Sequence, residues 1–150
     1  MSNKKKFAYI KCYVKIHINM DILEEYKKEI IEDTKIDQIN ILDKQLMLPT
    51  LKHKWVSRLI DSKKSLIKLN KKKKDIKKMV IDQIQNDIPK NLPKAALDIK
   101  IEGSEKVKDI NEEIEKYELL IDYLERVEKI FSSMSFDIKT ATELIKMETT

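Results

Sequence analysis

One glycine in 150 residues rules out a glycine-rich phosphate loop and the turn-dense architecture of a β-sandwich or barrel. The single cysteine, Cys12, allows no intramolecular disulfide and implies no oxidising compartment. His17 and His53 are the only histidines. Neither stands beside a cysteine or acid at metal-ligand spacing, so neither a metal site nor a cofactor is expected. No nucleophile-elbow motif is present, and the many Asp and Glu residues read as solvated helix faces, so no catalytic residue and no enzyme activity are assigned. No apolar run approaches the roughly 18 residues that span a bilayer. The basic N-terminus lacks the continuous apolar centre of a signal peptide, so the cytoplasm is the expected location.

What the chain has is charge and helical periodicity. Charged residues make up 38%, aromatics only 6% and hydrophobics 41%, the composition of long helices and coiled coils. That apolar share suffices for helix seams but is thin for a monomeric core, so some stripes are expected to be buried between subunits. The formal net charge of +5 conceals strong segregation. Between Lys52 and Lys78, twelve basic residues oppose Asp61 and Asp75, a local charge of +10. Such a block is an electrostatic footprint for a polyanion.

Phe7 to Ile18 alternates with period two: Ile10, Cys12, Val14, Ile16 and Ile18 face one side, which reads as a strand. Its only partner candidate is Leu97–Ile101. Alternatively, Met20 is the natural start and residues 1–19 are an upstream extension. A short helix is expected from Asp21 to about Asp33 on Ile22, Leu23, Tyr26, Ile30 and Ile31, and the pattern resumes at Ile39, Leu42 and Leu46. Pro49 should end or kink that piece near Leu48. A long helix from about Thr50 to Asn86 follows, with Leu51, Trp55, Leu59, Leu66, Leu69, Ile76, Val80 and Ile84 on its apolar side. Ser62 and Lys73 interrupt that side, while Lys64, Lys68, Lys71 and Lys78 share the opposite face.

Pro89, Pro93 and Gly103 mark a connection. Ser104 begins a second long helix whose seam is Ile110, Ile114, Tyr117, Ile121, Leu124, Val127, Phe131 and Met134, with acids at the exposed positions. The run Ser132-Ser133-Met134-Ser135 reads as a turn, with Ser135 capping a final short helix on Ile138, Ala141, Leu144 and Ile145. The fold expected is all-α: a long antiparallel helical hairpin with a short N-terminal and a short C-terminal helix.

Two uses compete for the basic helix. It pairs with the acidic helix Glu105–Glu128, each exposed ion pair contributing about 0–1 kcal/mol, or it forms a track for phosphates. Lysine acts as a point charge and does not read base edges as a guanidinium fork does, so such binding is sequence-neutral. Two places are also open to Trp55: stacked on a base, or in the core, the commoner fate of a Trp on an apolar helix side. Membrane-surface binding is the weakest use, because Lys73 breaks the apolar side and aromatics are few.

Met20-Asp21-Ile22-Leu23-Glu24-Glu25-Tyr26-Lys27-Lys28, the pair Lys54-Trp55 opening a lysine-rich helix, and Leu120-Ile121-Asp122-Tyr123 through Ser135-Phe136-Asp137-Ile138-Lys139 to Ile145-Lys146-Met147 carry a likeness. Together they resemble the UvsY recombination mediators of T-even-like bacteriophages, over roughly residues 20–147. The resemblance implies a helical mediator domain over residues 20–150 that assembles into a homo-oligomeric ring or bundle of six or seven subunits. It implies binding to single-stranded DNA, contact with a phage single-strand-binding protein, and loading of a phage recombinase in its place, in the cytoplasm of an infected bacterial host. The implied nucleic-acid-binding residues are Lys54, Trp55, Lys63, Lys64, Lys68, Lys71, Lys72, Lys73, Lys74, Lys77 and Lys78, and Arg58 is assigned with them as part of the same basic block. The implied oligomerising segment is Leu120 to Ile145, with Leu120, Ile121, Leu124, Val127, Phe131, Phe136, Ile138, Leu144 and Ile145, and Tyr117 is assigned with them from the same seam. The family's basic motif uses Arg with Lys where this chain has Lys77-Lys78, and residues 89–103 do not match. The alternative is a helical scaffold whose basic helix docks an acidic protein partner.

Overall fold

The computed structural model describes residues 22–87 and 92–149. The expected strand at Phe7–Ile18, the residue 1–19 extension and Pro89 lie outside them. Four helices make up the described chain: α1 (22–34), α2 (Ile41–Asp87), α3 (Lys94–Glu102) and α4 (Glu105–Thr149). No strand occurs among the described residues.

The helices contribute to two compact units. The first comprises residues 22–61 and 120–149, so it contains α1, the start of α2 and the end of α4. α1 turns its Leu23 inward and ends where the Thr34 hydroxyl donates to the Ile30 carbonyl (2.6 Å). The Asp37 carboxylate accepts the N–H groups of Ile39 and Asn40, each at 2.9 Å, and the Asn40 side-chain oxygen accepts the N–H of Asp37. These local bonds occupy backbone donors of the turn that leads into α2. Lys44 then donates to the carbonyls of Glu32 (2.6 Å) and Asp33 (3.1 Å), tying α2 to the end of α1.

Within this unit α2 and α4 run antiparallel. Trp55 stacks with Phe131, whereas Gln38, just before α2, donates to Glu148 near the end of α4. Leu48, Leu51, Trp55, Leu59, Leu120, Leu124, Val127, Phe131, Met134 and Ile138 are buried. Ile39, Leu42 and Leu46, assigned inward from their spacing, are 95%, 66% and 71% exposed.

The second unit, Ser62–Leu119, contains the rest of α2, all of α3 and the start of α4. Its small core joins Val80, Ile101 and Val107, with Ile76, Ile81, Ile84 and Leu97 packed against them. The Ser104 carbonyl accepts the N–H groups of Val107 (3.1 Å) and Lys108 (3.0 Å), placing Ser104 at the head of α4 as expected.

Three sequence expectations are corrected. α2 does not stop at Pro49 but passes through it. Proline removes one helical hydrogen bond, and the burial of Leu48 and Leu51 on either side outweighs that local cost. Leu97–Ile101 is helical, not a strand; proline at the N-terminal boundary and glycine at the C-terminal boundary frame α3, and Gly103 closes it through an N–H bond to the Ile99 carbonyl at 2.9 Å. Ser132–Ser135 is no turn and Ser135 caps no separate helix, because α4 is continuous there. The Ser133 hydroxyl bonds back to the Ile130 carbonyl (3.0 Å), and Phe131, Met134 and Ile138 carry the buried seam through the serines.

Candidate nucleic-acid interface

The basic residues of α2 divide into two environments. At its start, in the first unit, Lys54 and Arg58 lie one helical turn apart. Glu29 and Asp33 stand at the same spacing on α1 and meet them. Lys54 donates to Glu29 (2.7 Å) and pairs with Asp33 (2.5 Å); Arg58 donates to Glu29 (2.6 Å). Trp55 sits between these cations, 1% exposed, with its indole N–H on the Asp33 carboxylate at 2.8 Å. Tyr26 meets the indole edge-on at 5.6 Å, and Phe131 stacks at 6.3 Å with planes 22° apart. The Arg58 guanidinium lies 4.4 Å from the Tyr26 ring centre and 4.7 Å from that of Trp55.

The electrostatics follow from these contacts. The hydrogen bond from Arg58, then that from Lys54, holds the Glu29 carboxyl below its ordinary range against a smaller desolvation effect. Partial burial works to lower the Lys54 ammonium, but its bonds to Asp33 and Glu29 outweigh that and leave it raised. Trp55 therefore belongs to the core: both of its faces and its N–H are taken, leaving no surface for a base. Sequence reasoning missed Glu29, Asp33 and Tyr26 as partners, although the matching acid and base spacings of α1 and α2 are visible in the chain.

In the second unit the basic residues differ. Lys77 pairs with Glu102 of α3, and that bond, more than the field of Lys73, holds the Glu102 carboxyl below its usual range. Lys73 is half-buried on the apolar side, where its position in the helical repeat puts it. Lys63 and Lys64 have partners in the fold. Lys68, Lys71, Lys72, Lys74 and Lys78 are exposed and make no ion pair with any described residue. Lys68, Lys71 and Lys78 follow one another at one- or two-turn intervals, and Lys72 borders the same face. None of the described acids of α4 forms an ion pair with this row.

The residues assigned to oligomerisation also separate. Leu120, Ile121, Leu124, Val127, Phe131 and Ile138 are buried within their own chain, and Tyr117 and Ile145 are half-buried. Phe136 and Leu144 are 70% and 57% exposed. The seam lies inside the subunit because α1 and α2 already cover it. No group of three or more His, Cys, Asp or Glu residues among the described residues has a metal-binding arrangement. No described helix is long and apolar enough to cross a membrane.

Comparison with known proteins places this geometry. A search of curated proteins returns no match. Crystal structures of the bacteriophage T4 recombination mediator protein UvsY share the fold. One crystal form is 19% identical, covers 84% of this chain and 98% of its own, and gives a TM-score of 0.74. A second gives 18% identity, 85% and 97% coverage and a TM-score of 0.73. A third gives 17%, 83%, 98% and 0.74. Residues 29–150 match the family model described as recombination, repair and ssDNA binding protein UvsY, and the chain belongs to that family.

Proposed function

We propose that this protein is a recombination mediator that binds single-stranded DNA without sequence preference and promotes loading of a recombinase in place of single-strand-binding protein. The observation that carries this reading is the row of exposed lysines on α2 with no ion-pair partner among the described residues. Phosphates released from their counterions onto such a row give affinity that falls with salt, by about 0.7 in log–log slope per phosphate on a single strand. Lysine brings no bidentate base readout, so the affinity is sequence-neutral. The phage recombinase and single-strand-binding protein, and action inside an infected bacterium, follow from kinship with the recombination mediators.

Weak binding by one subunit becomes tight when several are joined. The first unit has surface for that assembly: Ile39, Leu42, Leu46, Phe136, Leu144 and Met147 are all more than half exposed. Ile39, Leu42 and Leu46 follow at helical spacing, as do Phe136, Leu144 and Met147, so each set gives its segment an exposed apolar face that a second subunit can cover. We assign the self-association contacts to these residues and not to the buried seam.

Fluorescence anisotropy with two single-stranded oligonucleotides of unrelated sequence, across a salt series, tests the binding. Equal affinities that fall steeply with salt are expected; salt-independent affinity, or none, overturns the reading. Light scattering of the same samples should give a mass several times the 17.8 kDa of one chain. Recombinase filament growth on DNA precoated with single-strand-binding protein should accelerate when the chain is added; an unchanged rate removes the mediator role and leaves a binding protein or scaffold.

A further inference from the structure

We infer that Asp75 is a built-in brake on the phosphate track, keeping each subunit's grip on single-stranded DNA weaker than its lysines alone would give. The inference rests on the proposed reading of α2 as that track. Asp75 lies one helical turn beyond Lys71 and one before Lys78, on the same face, with Lys72 beside it. It is exposed and makes no ion pair with a described residue. A carboxylate there projects toward the solvent that the flanking lysines share, where a bound strand would run. It repels the phosphates and lowers the local potential. Asp82 lies on the same face two turns further on, with only Lys78 as a basic neighbour, so it stands at the end of the row. A protein that must hold DNA and then yield it to another protein has a use for such attenuation.

A purely structural role makes the opposite forecast. Asp75 is spaced to relieve repulsion among Lys71, Lys72 and Lys78 within the helix, so its loss would only reduce helix stability. The full-length chain and its Asp75→Asn, Asp75→Ser, Asp75→Glu and Asp82→Asn variants would be titrated with a labelled oligothymidylate, with helicity followed by circular dichroism. Asp75→Asn and Asp75→Ser should bind about threefold to fivefold tighter at low salt, the size of one weakly screened charge contact in water. The gain should shrink as salt is added, and both variants should melt no higher than wild type. Asp75→Glu should match wild type, and Asp82→Asn should gain less than Asp75→Asn. Salt-sensitive wild-type binding with unchanged or weaker binding by Asp75→Asn and Asp75→Ser overturns the inference alone. Wild-type binding that is absent or indifferent to salt overturns the track and the brake together.

Discussion

Replacing Trp55 with Phe separates a core role from a base-stacking role. The indole is 1% exposed and donates to Asp33 at 2.8 Å. Phenylalanine keeps an aromatic ring against Tyr26 and Phe131 but removes that hydrogen bond and leaves a small void. A lost bond to a charged group costs about 1.5–3 kcal/mol, so a total of about 2–3 kcal/mol is expected. Truncation to alanine should cost about 3–5 kcal/mol. With a urea dependence of about 2 kcal/mol per molar, the Phe variant's midpoint falls by about 1–1.5 M. Circular dichroism at matched protein concentration is the suitable assay, because Trp55 is the only tryptophan and its fluorescence is lost with it. Below the onset of unfolding, the affinity for single-stranded DNA and its salt slope should match wild type. Stacking on a base is worth about 1–3 kcal/mol. The reasoning is refuted if Trp55→Phe keeps its stability but binds DNA tenfold more weakly.

Other changes test the remaining assignments. Leu124→Asp, at a position 1% exposed, should abolish folding, whereas Phe136→Asp, 70% exposed, should leave helicity intact and reduce the particle mass in light scattering. Arg58 and Lys54 lower the Glu29 carboxyl below its ordinary value of 4.5. Its contribution to stability is therefore complete above that value and is lost as pH falls through the depressed folded-state value. Thermal melts from pH 7 down to pH 3 should show a shallower acid loss in Glu29→Gln than in wild type.

The all-helical class, the two long helices and the head of α4 at Ser104 were legible in the sequence. Helical spacing and the scarcity of glycine and proline left few other solutions. Pro49 and Ser132–Ser135 misled for one reason: local breaker signals are weak priors, and tertiary burial of Leu48, Leu51, Phe131, Met134 and Ile138 overrides them. Leu97–Ile101 shows alternation too short to distinguish a strand from one face of a short helix. The chain also showed where its positive charge lies but not which cations are engaged. Lys54 and Arg58 read like the other basic residues until α1 brings Glu29 and Asp33 against them. The seam of α4 likewise fits a partner subunit or the same chain equally well, and packing on α1 and α2 decides between them.

The salt dependence of single-stranded DNA binding by a Lys68→Gln, Lys71→Gln, Lys72→Gln triple variant tests the central claim most directly. All three residues are exposed, and glutamine preserves helix propensity. If each neutralises one phosphate, the log–log slope should be shallower than wild type by about 2, with helicity and particle mass unchanged. A variant that keeps the wild-type slope would show that the strand runs elsewhere.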